Sequence, residues 1–357
     1  MEKQNNVLIE KNNGLGIITL NRIKALNALS LNMVNTIQKQ LDEWKTDPTV
    51  FLIYIRSASE KAFCSGGDIK AVYEHTIKKD YEYIAQYLSK QYLMDYTIHT
   101  YEKPILVYIN GYIMGGGVGL AIGGLHRIVT EQTKLAMPEI QIGFIPDVGA
   151  SYFLNQLPGS VGTYLGLTGR TIDGNDLLFL GIADYYIHSE KWIKLEEVIK
   201  NKKWNSETCK DELTQLLEQY ETVDLPESTM EEKIDIIETN FSFDEIEDII
   251  EALSYKDPWA EKVLKEIKSS SPTFLKIILE LLNRGKDKTL IECFKMELDV
   301  SMNIIRTHDF EEGIRETFIN KNKKYQWAPK HLDQVSKEDI NLFFQYQWKN
   351  DKHPMDK

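Results

Sequence analysis

Two glycine loops and two carboxylates are the residues of this chain whose types and spacing suit one piece of chemistry. Cys64-Ser65-Gly66-Gly67-Asp68 and Met114-Gly115-Gly116-Gly117 each follow an apolar run that reads as a buried strand. The second loop lies in INGYIMGGGVGLAIGG, residues 109–124, which takes seven of the chain's 21 glycines. Glycine is costly inside a regular element, so this density marks a place where backbone comes very close to something. If both loops open helices, their N–H groups converge on one developing negative oxygen. That is an oxyanion hole, where removing one donor costs about 3 kcal/mol of transition-state stabilisation. For either loop alone, tight turns and close helix–sheet packing account for the glycines better.

A catalytic partner for such a hole is offered by AMPEIQIGFIPDVGASYFL. Glu139 follows Pro138, and Asp147 follows Pro146, in an otherwise apolar run. A carboxylate among apolar neighbours has its pKa raised and can serve as base or nucleophile. Asp147 has a plain structural alternative as the N-cap of a helix beginning Val148-Gly149-Ala150. Glu139 has a weaker one, as a surface residue at a strand end. Other chemistries fail. Gly159-Ser160-Val161-Gly162 carries Pro158 where a nucleophile elbow requires glycine. The glycine cluster lacks the lysine and Ser/Thr of a phosphate-binding loop, and no acidic residue suits a dinucleotide site. The seven histidines show no metal-ligand spacing, and Cys64 reads as a buried strand-end thiol rather than a nucleophile.

These residues need a scaffold, and the first half of the chain alternates strands with helices. NVLIEKN and LGIITLN read as a hairpin. Ser30 caps a helix running to Trp44, with Met33, Val34, Ile37, Leu41 and Trp44 on its apolar face. VFLIYIR (50–56) reads as a buried strand leading into AFCSGGD, an amphipathic segment over 80–101 precedes the strand ILVYIN, and HRIVT and KLAM are short strands. Residues 105–125 carry no charged side chain and are long enough to cross a bilayer. Their glycines and Asn110 argue instead for a buried strand, a glycine turn and the start of a buried helix. Beyond about residue 190 the segments are charged, amphipathic and strand-poor, and SSSPTFLKIILELLNR opens with an N-cap serine and Pro272 in its first turn. The pattern predicts an α/β core over 1–190 with a helical region over 191–357 packed on it.

Composition narrows the setting. The 357 residues are 42% hydrophobic and 27% charged, ordinary for a soluble globular enzyme. A net charge of −12 argues against wholesale nucleic-acid binding. Cys64, Cys209 and Cys293 are odd in number and widely spaced, which disfavours a disulfide framework or zinc cluster and points to a reducing compartment. MEKQNNVLIEKNN has no apolar core and carries acidic residues, unlike a secretory signal or an Arg-rich transit peptide, so the expected location is the cytoplasm.

LNRIKALNALS, KAFCSGGDIK, INGYIMGGGVGLAIGG and MPEIQIGFIPDVGASYFL closely resemble the crotonase (enoyl-CoA hydratase/isomerase) superfamily. MGGGVGL, LTGRTIDGNDLLFLGIAD and the late THDFEEGIRETFINKN resemble its 3-hydroxyisobutyryl-CoA hydrolase branch. The resemblance runs from about residue 7 to 335, with PDVG and HDF-x-EG-x-R its most specific parts. It implies a crotonase-like spiral of repeated strand-strand-helix units, with the helical C-terminal region closing an acyl-CoA site. It further implies that Gly67 and Gly116 hold the thioester oxygen and that Glu139 and Asp147 form the functional pair. Lys24-Ala25-Leu26 and Asp68-Ile69-Lys70 match the CoA-contacting segments. Gln91 occupies a position that faces the acyl pocket and is acidic in some relatives.

Hydratases of the superfamily carry a glutamate three residues after the oxyanion glycine, where this chain has Gly119, so hydration is disfavoured. The expected activity is hydrolysis of a short-chain β-hydroxyacyl-CoA, 3-hydroxyisobutyryl-CoA of valine breakdown, to free acid and CoA. An enoyl-CoA hydratase or isomerase is one alternative, and a non-catalytic acyl-CoA-binding protein is another. No metal or redox cofactor is expected, since CoA arrives as part of the substrate. Neither nucleic acid nor membrane is expected as a partner, and self-association stays open.

Overall fold

The computed structural model describes residues 5–255 and 257–356, so the first four residues of the amino-terminal stretch lie outside it. Strands β1 (Val7–Asn12) and β2 (Leu15–Leu20) form the expected antiparallel hairpin. It turns at Asn13-Gly14, both with positive φ, as a two-residue hairpin turn requires. Strands β3 (Leu52–Ser57), β5 (Ile105–Ile109), β7 (His126–Val129) and β10 (Tyr185–Tyr186) then add in parallel, giving the order β1-β2-β3-β5-β7-β10. Parallel strands are covered on both faces, which is why Leu52 to Ile55 is apolar without alternation.

A second sheet takes β4 (Ala62–Cys64), β6 (Tyr112–Met114), β8 (Lys134–Ala136) and β9 (Ile172–Asp173), in that order. Successive strand pairs therefore place one strand in each sheet: β3 then β4, β5 then β6, β7 then β8. This is the strand-strand-helix spiral that the resemblance implies. The sequence reading misses β6, taking its residues as part of a glycine turn. Gly111 has φ +75° and lies so close to Lys61 that any side chain would strike the Lys61 backbone, and the sharp bend there feeds three residues into the second sheet.

The chain gathers into two units, each drawn from three stretches. The first comprises Met1–Asp68, Leu93–Leu135 and Thr171–Glu231, and the second Ile69–Tyr92, Ala136–Arg170 and Glu232–Lys357. The expected boundary at 190/191 falls inside the first unit. The physical reason is apolar partnering: Trp192, Leu195 and Ile199 of the helix Ser189–Asn201, and Leu213 and Leu217 of the helix Cys209–Tyr220, bury against Leu15, Leu52, Tyr54, Leu106 and Ile128 of the large sheet. That cluster removes hundreds of Å² of apolar surface from water, at roughly 25 cal/mol per Å².

Helices α1 (Leu31–Thr46) and α4 (Gly116–Ile122) also belong to the first unit. Ser30 caps α1 through Met33 N–H, and its buried face is the expected Met33, Val34, Ile37, Leu41 and Trp44. The second unit is helical. It holds α2 (Ile69–Ile77), α3 (Tyr81–His99) as far as Tyr92, and the short α5 (Ala150–Phe153). The helices Pro272–Gly285, capped by Ser271, Leu290–Ile304 and His308–Ile314 form its later part. Among the described residues no helix is long and apolar enough to cross a membrane. The uncharged stretch 105–125 is divided instead among β5, β6 and α4.

Candidate active site

In the first unit the two glycine loops lie against each other. Strands β4 and β6 run side by side in parallel, and Gly66, φ +106°, stands where an added Cβ would be 3.2 Å from the Met114 carbonyl oxygen and 3.7 Å from the Gly116 nitrogen. A Cβ on Gly117 would be 2.6 Å from the Cys64 carbonyl oxygen. Leu29 pairs with Gly67 in an isolated parallel bridge: Leu29 N–H donates to Gly66 O at 2.8 Å, and Asp68 N–H donates to Leu29 O at 3.0 Å. The bonds of a parallel pair run to the residues flanking the bridged one, so the N–H of Gly67 itself points away from Leu29. Gly116 is the first residue of α4, and N–H groups of a helix's first turn have no partner within the helix. Neither donor is used by the element that holds it.

The first loop rests on Lys24-Ala25-Leu26. Ser65 N–H donates to Leu26 O at 3.0 Å, and Ser65 Oγ to Ala25 O at 3.4 Å. Lys24 is exposed, whereas the Asp68 carboxylate forms an ion pair with Arg22 at 2.7 Å. Sequence reasoning passes over Asn27, which proves central here. It is fully buried with φ 58°, and its Nδ2 donates to Ser57 Oγ at 2.7 Å and Phe63 O at 3.0 Å, pinning the strand that delivers the loop. Its signal was the residue type, since asparagine tolerates the left-handed region. The Cys64 thiol is buried and pushed up to about 12 by that burial, which removes it as a nucleophile.

The second unit holds the carboxylates. Glu139 lies in the 3-10 turn Pro138–Ile142, which ends at Gly143 in the left-handed region. A Cβ on Gly143 would strike the Asp309 carbonyl, and one on Gly313 would strike the Ile142 carbonyl. The turn and the helix His308–Ile314 therefore meet backbone to backbone, which explains the glycine of the late EGIR motif. Glu139 is buried, and its Oε2 has no hydrogen-bond partner among the described residues. Burial pushes its carboxyl well above the usual range, and the charge of Asp147 acts in the same direction. Asp147 is pushed up to about 7 by burial, opposed by a hydrogen bond from Tyr92.

Tyr92 Oη donates to Asp147 Oδ2 at 2.7 Å and lies 3.2 Å from Ser301 Oγ. Burial, followed by the charges of Asp147 and Glu297, holds the Tyr92 phenol protonated, so it remains a donor. Gln91 is buried immediately before it on α3. Lys24 to Leu26, Gly67, Asp68 and Gly116 thus adjoin in the first unit; Glu139 and Asp147 interact in the second, which also carries the buried Gln91, and Ile69 and the exposed Lys70, which open α2.

The helix-cap alternative for Asp147 is overturned. Helix α5 starts at Ala150, and the Asp147 side chain faces Tyr92 instead. Glu297, fully buried on the helix Leu290–Ile304, supplies the cap. Its Oε2 accepts from Gly149 N–H at 2.7 Å, and its Oε1 from Ser151 N–H at 2.8 Å and Ser151 Oγ at 2.6 Å. Burial pushes Glu297 up to about 8, with the Asp147 charge adding to the shift and these hydrogen bonds opposing it. Sequence reading passes over Glu297. The signal that exposes it is spacing, because Cys293, Glu297 and Ser301 recur every four residues along one buried stripe.

A pH dependence of stability follows. The unfolded chain titrates these carboxyls near the ordinary value of about 4, whereas the folded one holds their protons to about 7 for Asp147 and about 8 for Glu297. Between those limits the folded state binds more protons, so stability is full below pH 4 on this account and declines as pH rises through 7–8. For Asp147 alone the loss is at most about 4 kcal/mol. Urea midpoints at pH 5.5 and 8.5 should differ less for Asp147→Asn than for wild type. Equal differences in the two proteins would refute the assignment.

A family model described as enoyl-CoA hydratase/isomerase matches residues 15–344. The chain belongs to the enoyl-CoA hydratase/isomerase family. Within the family it is 42% identical to the human protein named 3-hydroxyisobutyryl-CoA hydrolase, mitochondrial, over 95% of this chain and 88% of that one. A solved structure named carnitinyl-CoA dehydratase, from Mycobacterium thermoresistibile, superposes with a TM-score of 0.88 at 33% identity, covering 96% of each chain. One named enoyl-CoA hydratase, from Rhodobacter sphaeroides, gives 0.87 at 32%, covering 96% of this chain and 97% of that one. These relatives carry the names of different reactions, and the residues around the thioester must decide between them.

Proposed function

We propose that this chain hydrolyses a short-chain β-hydroxyacyl-CoA thioester, 3-hydroxyisobutyryl-CoA, to the free hydroxy acid and CoA. The observation that supports it most is the pair of buried, interacting carboxyls at 139 and 147, the first with an oxygen that no described residue hydrogen-bonds. A binding module has no use for so costly a pair. A hydratase of this family pattern needs a glutamate where Gly119 stands. The human relative's name supports the substrate.

In this reading the Gly67 and Gly116 N–H groups stabilise the oxygen that becomes negative when the thioester carbonyl is attacked. Glu139, ionised, attacks that carbon or draws a proton from an attacking water. The carbon–sulfur bond breaks, and the thiolate of CoA takes up a proton that Asp147 supplies. If Glu139 has attacked directly, a water that gives one proton back to Asp147 then cleaves the acyl–Glu139 anhydride, leaving the free hydroxy acid and the Glu139 carboxylate. Tyr92 holds Asp147 at the correct angle throughout. Lys24 and Lys70 would meet the CoA phosphates as local positive charge on an acidic protein, and Gln91 would face the acyl hydroxyl. No metal or redox group is needed for any of these steps.

The two solved relatives named for hydration chemistry favour the rival reading, and one assay separates them. Given 3-hydroxyisobutyryl-CoA, the protein should release free thiol, followed with a thiol-reactive dye. Given crotonyl-CoA, it should scarcely reduce the enoyl absorbance. Rapid loss of that absorbance without thiol release would establish a hydratase. Thiol released only from a different hydroxyacyl-CoA would preserve the reaction and change the substrate, with Gln91 the first residue to exchange.

The proposed reaction belongs to valine breakdown. We place it in the cytoplasm, since Cys64, Cys209 and Cys293 are all buried thiols without disulfides, as a reducing compartment keeps them. The relatives' names carry the word mitochondrial, and recovery of the protein with that organelle on fractionation would overturn the placement.

A further inference from the structure

We propose that Glu297 is a positioning residue for the reaction: it caps α5 in place of Asp147, and thereby leaves the Asp147 carboxylate to face Tyr92 and the substrate. The proposal rests on the reading that Asp147 moves a proton in the reaction. The local sequence would otherwise put Asp147 to a different use. An aspartate in the turn just ahead of a helix can turn its carboxylate onto the backbone N–H groups that follow it, the one two residues on first. Here those groups, Gly149 N–H and Ser151 N–H, are taken at 2.7 and 2.8 Å by Glu297, from a helix far along the chain. The Ser151 hydroxyl completes the set at 2.6 Å. Ala150 N–H is left to the Asp147 backbone carbonyl at 3.1 Å, so the turn still closes without the Asp147 side chain.

The turn that this arrangement stabilises is a strained one. Val148 has φ 57° and Gly149 φ 89°, two left-handed residues in succession. A β-branched residue rarely adopts that region, and persists there only where its surroundings over-determine it. Glu297 provides that constraint immediately after Val148, and the Phe294 ring lies against Gly149 from the same helix. One turn further along that helix, Ser301 lies 3.2 Å from Tyr92 Oη, the group that holds Asp147 Oδ2. The helix Leu290–Ile304 therefore grips Asp147 twice, by the backbone that follows it and through the partner of its side chain.

A double-mutant cycle tests this. Glu297→Gln keeps the shape but presents an amide N–H₂ to at least one backbone donor, so the cap weakens and Asp147 turns toward the vacated N–H groups. A displacement of that kind lowers kcat about 10- to 100-fold, with KM within about threefold of wild type. In an Asp147→Asn background the same change should cost less than about twofold, because the residue through which it acts is already disabled. Equal fold-losses in both backgrounds would show a merely structural role and overturn the proposal. Wild-type kcat in Glu297→Gln, with Asp147→Asn inactive, would overturn it while sparing the role of Asp147. Wild-type kcat in Asp147→Asn would remove that role, and this proposal with it. Should Glu297→Gln fail to fold, Ser151→Ala removes one donor of the three. It should lower kcat about two- to fivefold in the wild-type background only, and equal losses in both backgrounds would count against the proposal.

Discussion

Glu139→Gln lowers kcat for thioester hydrolysis by at least about 100-fold and leaves binding of a CoA thioester in place. The amide keeps the size of the side chain and most of its packing in the Pro138–Ile142 turn, yet can neither attack a carbonyl nor take a proton. In wild type the acid limb of kcat should lie well above the ordinary carboxylate range, because burial raises the Glu139 carboxyl. Burial raises both carboxyls, Asp147 to about 7, and the two titrate as a pair whose apparent values belong to both. Turnover within a few-fold of wild type in a folded Glu139→Gln protein would remove Glu139 from the chemistry. An acid limb at the ordinary carboxylate value would remove the environment argued for it.

Gly313→Ala destabilises the protein by at least about 3 kcal/mol, a larger effect than a single added methyl ordinarily has. The new Cβ has backbone on its far side, the Ile142 carbonyl with the Gly143 nitrogen at 2.8 Å, so no side chain can rotate away to make room. Any relief must come from moving the turn that carries Glu139, so kcat should fall along with the unfolding midpoint. Gly181→Ala provides the control. Its φ of +70° is also unfavourable for alanine, but nothing lies within 4 Å of the added atom. That change should cost about 1 kcal/mol. Equal losses at 181 and 313 would mean that backbone conformation alone, not the close approach, decides the cost at 313.

The sequence was readable wherever a pattern repeated locally. Helix α1 has an N-cap serine and five apolar residues at helical spacing, and all five are its buried face. The alternation of strands with helices was enough for an α/β core, while its spiral came only from the family resemblance, and the bare apolar run of β3 announced a buried strand. What was illegible depended on residues distant in the chain. Strand β6 has three residues, too few to show a period, and exists because Gly111 lets the backbone pass close to Lys61. Asp147 looked like a cap because its rival for that place, Glu297, stands in a different helix. The buried Asn27 makes its bonds to Ser57 and Phe63, and nothing adjacent in the sequence announces either partner.

The interleaving of the two units has a consequence for synthesis of the chain. The turn bearing Glu139 is among the earlier segments to leave the ribosome, but the residue that floors it, Gly313, and the carboxylate that fixes the turn after Asp147, Glu297, are among the later ones. At ordinary elongation rates the apolar stretch IQIGFIP waits on the order of ten seconds or more for its partners. During that interval both acid-bearing turns lack the groups that hold them in shape. A chain cut short before Glu297 would keep both glycine loops and both carboxylates in its sequence. It would still lack the framework that aims them, and its unfinished apolar surface would be bait for chaperones and proteases.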